Sequence, residues 1–256
     1  EQENKFQIEK FDAEVLREYD IRGVVDHNIT DNTAYTIGRV FGYIVGKEFK
    51  SNKISIGYDG RLTSPKLFKA LSIGLKDSGA NVMNIGICPT PMLYFSDYNL
   101  KSDAAIMITG SHNPAEYNGF KMVLNKHSFF SQNIQNFQKI VLENKLLKKE
   151  GTINNINIID SYVDRILKNI LIKKNLKIAW DIGNGAMGVI IDKLVSKLPN
   201  TENILLNKEV DGNFPNHHPD PTVPENMKQL IKSVKSNNCD IGLAFDGDGD
   251  RLGVID

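Results

Sequence analysis

The chain has 256 residues, with 31 basic and 31 acidic side chains and a formal net charge of zero. No overall field therefore favours nucleic acid, an anionic membrane or a polyacidic partner, and any anion must be held by a local site. Apolar residues make up 41%, enough to fill the cores of two ordinary domains, yet no apolar run approaches the length that spans a bilayer.

In chain order, apolar residues recur at helical spacing from Asp31 to Lys50, behind a Thr/Asp pair suited to capping. Ile54 to Tyr58 reads as a strand, and Ser64 and Pro65 open a second helix that stops near Gly79. Val82 to Ile87, Ala104 to Thr109 and Phe120 to Leu124 read as strands, and an amphipathic stretch around Ile134, Phe137, Ile140 and Val141 closes this unit. KLLKKEGTINNIN has no long apolar period and marks a boundary near Asn155. Beyond it come a helix (Tyr162 to Ile170), a strand (Lys177 to Trp180), a helix (Ala186 to Leu198), a strand (Asn203 to Leu206), a helix (Glu225 to Val234) with Thr222 and Glu225 as a capping box, and a strand (Asp240 to Phe245). The expected fold is two consecutive α/β domains, residues 1–155 and 156–256, with mixed or mostly parallel sheets and helices on both faces.

The first chemical string is AAIMITGSHNPAEYNGFKM. Its apolar strand delivers Ser111 to the carboxyl end of a sheet, where open α/β folds place their ligands. His112 and Lys121 are candidates to move a proton or balance an anion. A bare Ser-His pair is more often a hydrogen-bonded turn, so it needs support from elsewhere.

Support comes from FDGDGDRLGVID, in which Asp246, Asp248 and Asp250 alternate with glycines after an apolar strand. Alternation in an extended loop turns the carboxylates to one side, and the glycines let the loop curl around a hard cation. The spacing begins like a calcium loop, but Arg251 stands where that loop needs glycine. Three protein oxygens leave a Mg²⁺ shell open to phosphate, which suits phosphoryl transfer better than a closed cage.

Other signals are weaker. Gly183, Gly185 and Gly188 match a dinucleotide fingerprint, but the acidic residue expected at the end of the next strand comes late, since Leu206 is followed by Asn207, Lys208 and only then Glu209, so a tight strand-to-helix turn is the better reading. GYDGRLTSP places Asp59 and Arg61 after the first strand as a salt-bridged turn, and His217 and His218, as neighbours on an extended loop, point opposite ways in structural roles. Cys88 and Cys239 form no ligand spacing and are expected as reduced, buried thiols. The polar start EQENKFQIEK lacks the order of a leader, so a soluble cytoplasmic protein is expected.

Together, REYDIRG, GYDGRLTSP, TGSHNPAEYNGFK, DIGNGAMG, EVDGNFPNHHPDP and LAFDGDGDR resemble the α-D-phosphohexomutase superfamily, in its phosphomannomutase/phosphoglucomutase branch, over nearly the whole chain. The resemblance implies that Ser111 carries a phosphoryl group and, with Asp246, Asp248 and Asp250, faces Mg²⁺. It implies that Tyr19 and Arg22 line the substrate site, that Arg22, His112 and Lys121 serve catalysis, with Lys121 also touching substrate, and that Arg251 helps hold phosphate. The implied reaction interconverts 1- and 6-phosphates of mannose or glucose through a hexose 1,6-bisphosphate. Members of the superfamily have four domains, so a third and a fourth are expected in cis and the chain alone is expected to turn over poorly. Phosphoglucosamine mutase, a non-catalytic phosphosugar-binding fragment and a nicotinamide enzyme are the alternatives.

Overall fold

The computed structural model describes residues 6–256, so the first five residues of the polar start lie outside it. Thr30 begins the first helix, α1 (Asp31–Glu48), with a reciprocal cap: its hydroxyl accepts from the Thr33 amide at 3.0 Å and the Thr33 hydroxyl accepts from the Thr30 amide at 2.9 Å. α2 (Ser64–Asp77) starts on Pro65, whose missing N–H costs nothing at that position. Between and after them run the parallel strands β2 (Lys53–Tyr58), β3 (Asn81–Ile87) and β4 (Ala104–Ile108).

β5 (Tyr117–Leu124) returns antiparallel to β4, and β1 (Ile21–Val24) pairs antiparallel with β5. β6 (His127–Phe129) forms a hairpin on β5, and β7 (Thr152–Asn155) adds a parallel edge beside β3. The first sheet therefore has the order β1-β5-β4-β2-β3-β7. The second is smaller: β8 (Leu176–Asp181) lies between β9 (Thr201–Leu206) and β10 (Ile241–Phe245), all parallel, and β11 (Leu252–Ile255) closes the β10 side antiparallel. Two α/β units with mixed, largely parallel sheets are the architecture that the alternating pattern predicts.

Several elements differ from the expected ones. β7 falls in the stretch read as a boundary loop; all four of its residues are exposed, so no apolar alternation marks it. α3 (Thr90–Asn99) was not foreseen, because its turns carry Tyr and Ser on a weakly amphipathic surface. The helix expected from Ala186 starts as a 3₁₀ turn, Ala186–Val189, and continues as α6 (Ile191–Lys197). The Thr222/Glu225 capping box does not form: Thr222 bonds Asp220 through both its amide and its hydroxyl, Glu225 pairs with Lys228, and the helix proper is α7 (Lys228–Asn237). Cys88 is buried as expected, whereas Cys239, just beyond the left-handed cap of α7, is only half-buried.

Helices cover both faces of each sheet. α1, α2 and α4 (Gln132–Leu142) close one face of the first sheet over Ile54, Ile56, Ile106 and Phe120. Its other face, under α3, packs Met92, Leu93 and Met107 into one apolar layer with Ile178, Trp180 and Ile191 of the second unit. α5 (Ile159–Leu167) joins that layer through Val163, and its Tyr162 ring lies 5.4 Å from Phe95. α7 covers the far face of the second sheet over Ala179 and Ala244. Among the described residues no helix is long and apolar enough to cross a membrane.

The irregular segment between β9 and α7 is pinned by His217. Its Nε2 lies 2.9 Å from buried Asp181 at the end of β8, and its Nδ1 lies 2.9 Å from the His218 carbonyl. Both ring nitrogens meet acceptors, so the imidazolium is the form that fits. The Asp181 bond raises the His217 pKa above the ordinary histidine value, against the opposing pull of burial. A raised folded pKa gives stability that is full below the unfolded value of about 6.5 and is lost as pH rises through the folded value. We expect the native chain's advantage over His217→Gln in urea unfolding to be largest below about pH 6 and to shrink at alkaline pH; a pH-independent difference would contradict the assignment.

Candidate active site

β4 ends at Ile108, and the next residues turn sharply so that β5 can return. Ser111 sits in that turn with φ +51, a left-handed conformation that a serine adopts only when its surroundings hold it there. Its amide donates to Thr109 Oγ1 at 2.7 Å, and it is buried. The hydroxyl donates to Asp246 Oδ2 at 3.1 Å, across to the loop that follows β10 in the other sheet. The carboxyl ends of the two sheets thus face each other.

Asp246, Asp248 and Asp250 offer ligand oxygens that all lie within 4.8 Å of one another, the first two buried and the third exposed. Asp246 Oδ1 is occupied by the amides of Asp250 and Arg251, each at 3.1 Å. Lys121, on β5, donates to Asp248 Oδ2 and Asp250 Oδ2 at 2.8 Å each. Thr90, at the start of α3, adds a hydroxyl to Asp248 Oδ2 at 2.7 Å and its amide to the Asp248 carbonyl at 2.8 Å. Asp248 Oδ1 is left buried with no hydrogen-bond partner. A buried carboxylate oxygen without a donor is costly, and a set made only of hard oxygens is what a cation such as Mg²⁺ accepts, so the residues fit a metal.

The charges tune one another. Burial pushes the Asp246 carboxyl up, and the neighbouring Asp248 and Asp250 push it further. Burial acts the same way on Asp248, but the Lys121 ammonium outweighs it and holds Asp248 below the carboxylate range. Lys121 is raised in turn: burial disfavours its charge, and Asp248 and Asp250 more than restore it.

His112 Nδ1 is 3.4 Å from Ser111 Oγ, a long contact. Burial and then the nearby Arg251 lower the His112 pKa, so its ring is neutral and able to take a proton near pH 7. Arg22 is gripped by Asp20 and reaches the serine loop through Asn113 Oδ1 at 3.3 Å. Arg251 is exposed beside the acidic loop. Tyr19 is exposed and stacks on Phe130 at 6.4 Å, with no hydrogen bond to the cluster among the described residues.

The sequence reading did not include Thr90, and it gave His218 a structural role without a partner. Thr90 sits in CPTPM, where a strand end and a Pro-bounded helix start are the usable signal. His218 donates from Nε2 to the His112 carbonyl at 2.6 Å, which neither its spacing nor its neighbours reveal. The glycine loop after β8 turns inward on the acidic loop: a Cβ on Gly185 would stand 2.9 Å from the Gly247 carbonyl, and the Ala186 amide already donates there at 2.9 Å. The chain's own backbone fills the approach that a dinucleotide would need. A groove of about 460 Å³ over Leu176, Thr201 and Asp240 lies at the amino ends of the second sheet, the end opposite Asp246.

Residues 13–146 match the family model for α/β/α domain I of phosphoglucomutase/phosphomannomutase, and residues 160–256 match its domain II. The chain is 46% identical over 241 residues to a phosphomannomutase/phosphoglucomutase of Pseudomonas syringae pv. tomato, covering 94% of this chain and 51% of that protein. It is 44% identical over 244 residues to a phosphoglucomutase of Neisseria gonorrhoeae, covering 94% and 53%. A Burkholderia thailandensis phosphoglucomutase/phosphomannomutase family protein superposes with a TM-score of 0.90 at 38% identity, over 96% of this chain and 55% of that one. The chain spans about half the length of the curated relatives it matches. Both of its α/β units, in their order, match domains I and II of the phosphoglucomutase/phosphomannomutase family of the α-D-phosphohexomutase superfamily, to which the chain belongs.

Proposed function

We propose that this chain carries the phosphoryl-transfer centre of a hexose phosphate mutase, acting on mannose or glucose phosphates, with Ser111 as the phosphoryl carrier. The observation that supports this most directly is the meeting of Ser111 Oγ and Asp246 Oδ2 at 3.1 Å, a hydroxyl from one unit aimed at the acidic cluster of the other.

In this reading Asp246, Asp248 and Asp250, with Ser111, hold Mg²⁺, which when bound neutralises charge on the phosphoryl oxygens. Phosphoserine 111 gives its phosphoryl group to a free sugar hydroxyl: the O–P bond at Ser111 breaks, one forms at the sugar oxygen, and the hydroxyl proton ends on the freed Ser111 oxygen. His112 Nδ1, neutral and facing the Ser111 oxygen, is placed to exchange that proton. The hexose 1,6-bisphosphate then returns its other phosphoryl group to Ser111. Lys121, Arg22 and Arg251 supply positive charge to the phosphates, and Tyr19 offers an exposed aromatic surface to the sugar. By the superfamily resemblance, the sugar-reading and phosphate-gripping loops belong to third and fourth domains expected in cis. Free cysteines and charged substrates suit a cytoplasmic setting.

Intact-protein mass spectrometry after incubation with glucose 1,6-bisphosphate and Mg²⁺ should show one added phosphoryl group on the native chain and none on Ser111→Ala. Equal labelling of both proteins would remove Ser111 from its role. The same 256-residue chain should give little or no net conversion of mannose or glucose 1-phosphate in a coupled assay; full turnover would show that no further domain is required. Asp248→Asn should weaken Mg²⁺ binding at least about tenfold by calorimetry, since it removes one charged ligand from a set of three. Unchanged affinity would place the ion elsewhere.

A further inference from the structure

The serine loop, from Thr109 to the start of β5, belongs to neither a strand nor a helix, yet its backbone is held on both limbs by one buried pair. Asp59 and Arg61 follow β2, the parallel neighbour of β4, and so arrive beside the loop. Arg61 is almost wholly buried. Its Nε donates to Asp59 Oδ2 at 3.2 Å. Nη1 donates to the carbonyls of Pro114 at 2.6 Å and Tyr117 at 3.1 Å. Nη2 donates to the carbonyls of Ser111 at 2.9 Å and Asn113 at 2.6 Å. All five donors of the guanidinium fork are spent, and four go to the backbone from Ser111 to Tyr117.

Asp59 takes the incoming limb. Its Oδ2 accepts from Thr109 Oγ1 at 2.9 Å and from the Gly110 amide at 3.1 Å. Its Oδ1 accepts from Ser64 Oγ at 2.6 Å and from the Arg61 amide at 3.1 Å. Ser111 lies between the two limbs in its left-handed conformation. The surrounding residues leave room for the pair: a Cβ on Gly110 would stand 2.4 Å from Arg61 Nε, and one on Gly212, from the second unit, 2.9 Å from Arg61 Cα. The Phe214 ring of that unit covers the guanidinium at 5.6 Å.

We infer that Arg61, with Asp59 as its counter-ion, is the positioning residue that fixes the Ser111 oxygen in line for phosphoryl transfer. This rests on the reading of Ser111 as the phosphoryl carrier. Arg61 does not touch the reacting atoms; it acts by holding the carbonyl of Ser111 and those of the residues after it. A lysine would keep the charge, but its three donors radiate from a single nitrogen and cannot span carbonyls that the planar fork reaches from two sides. The incoming limb would stay on Asp59 while the outgoing limb loosened. A displacement of about 1 Å at a reacting atom is enough to cost about 100-fold in rate.

The test follows Ser111 loading from glucose 1,6-bisphosphate by rapid-quench mass spectrometry in the native chain, Arg61→Lys and Arg61→Ala, with melting temperatures alongside. The inference expects Arg61→Lys to saturate at the native bisphosphate concentration but to load about 100-fold more slowly. Guanidinium ion should restore rate to Arg61→Ala without moving the saturating concentration. Native-like maximal rates in Arg61→Lys would overturn the positioning role alone, as would a loss seen only in the saturating concentration, or one that follows melting temperature and resists guanidinium. Where neither Arg61 variant folds, Asp59→Asn decides the matter by the same split between rate and saturation. A native chain that takes up no phosphoryl group dependent on Ser111 would overturn this inference together with the carrier reading, and that result is recognisable without any variant.

Discussion

Three carboxylates held within 4.8 Å of one another are the constraint around which the meeting of the two units is arranged. Like unit charges at about 4 Å repel by about 4 kcal/mol in the effective dielectric of a protein surface, and more where water is excluded. Alone, the loop would spread or protonate. Its charge is instead answered from the opposite unit, by the Lys121 ammonium, by the Thr90 hydroxyl and by the Ser111 hydroxyl. The acidic loop therefore needs the first unit as much as the serine needs the second. The orphaned Asp248 oxygen shows where that answer remains incomplete and a cation would complete it.

Such a cluster cannot hold two domains together by itself, because burying charges costs about as much as their attraction returns. The apolar layer beneath does the holding. Met92, Leu93 and Met107 from the first unit and Ile178, Trp180 and Ile191 from the second are buried in one continuous cluster, away from the polar loops. Strand alternation explains how both jobs are done at once. In β8, Ile178 and Trp180 face this shared layer while Ala179 faces α7. In β5, Lys121 pairs with Met107, so the ammonium emerges on the face that meets the second unit. The sheets stack through their side chains and present their carboxyl-end loops to one another.

Much of this was legible from residue order. Periods of 3.6 and 2 located α1, α2, β2, β3, β4 and β10, and the alternating Asp-Gly loop announced shared orientation of its carboxylates. What stayed hidden has physical reasons. β7 is an edge strand with no buried face, and α3 is too weakly amphipathic to show a stripe. The grip of Thr90 on Asp248 joins residues 158 positions apart, and that of His218 on the His112 carbonyl joins residues 106 apart, so neither leaves a local pattern. Asp59 and Arg61 were readable as a salt bridge, correctly, but a salt bridge between residues two apart says nothing of the four carbonyls that the same guanidinium collects from another loop.

The same distinction bears on why the motif strings occur together. TGSHNP needs glycine at Gly110 because the Arg61 guanidinium lies where a Cβ would go, and DGNFP needs glycine at Gly212 because Arg61 and Gly60 lie there too. Both strings thus pack against GYDGR, so a change at Gly60 or Arg61 alters the packing of each. DIGNG is bound to DGDGD in the same manner, through the close approach of Gly185 to the Gly247 carbonyl. Gly247 in turn faces the Ser111 carbonyl, where an added Cβ would stand 2.7 Å away. The strings are thus faces of one packed object, with glycines wherever two loops cross, and a serine held left-handed at its centre is a consequence of that packing.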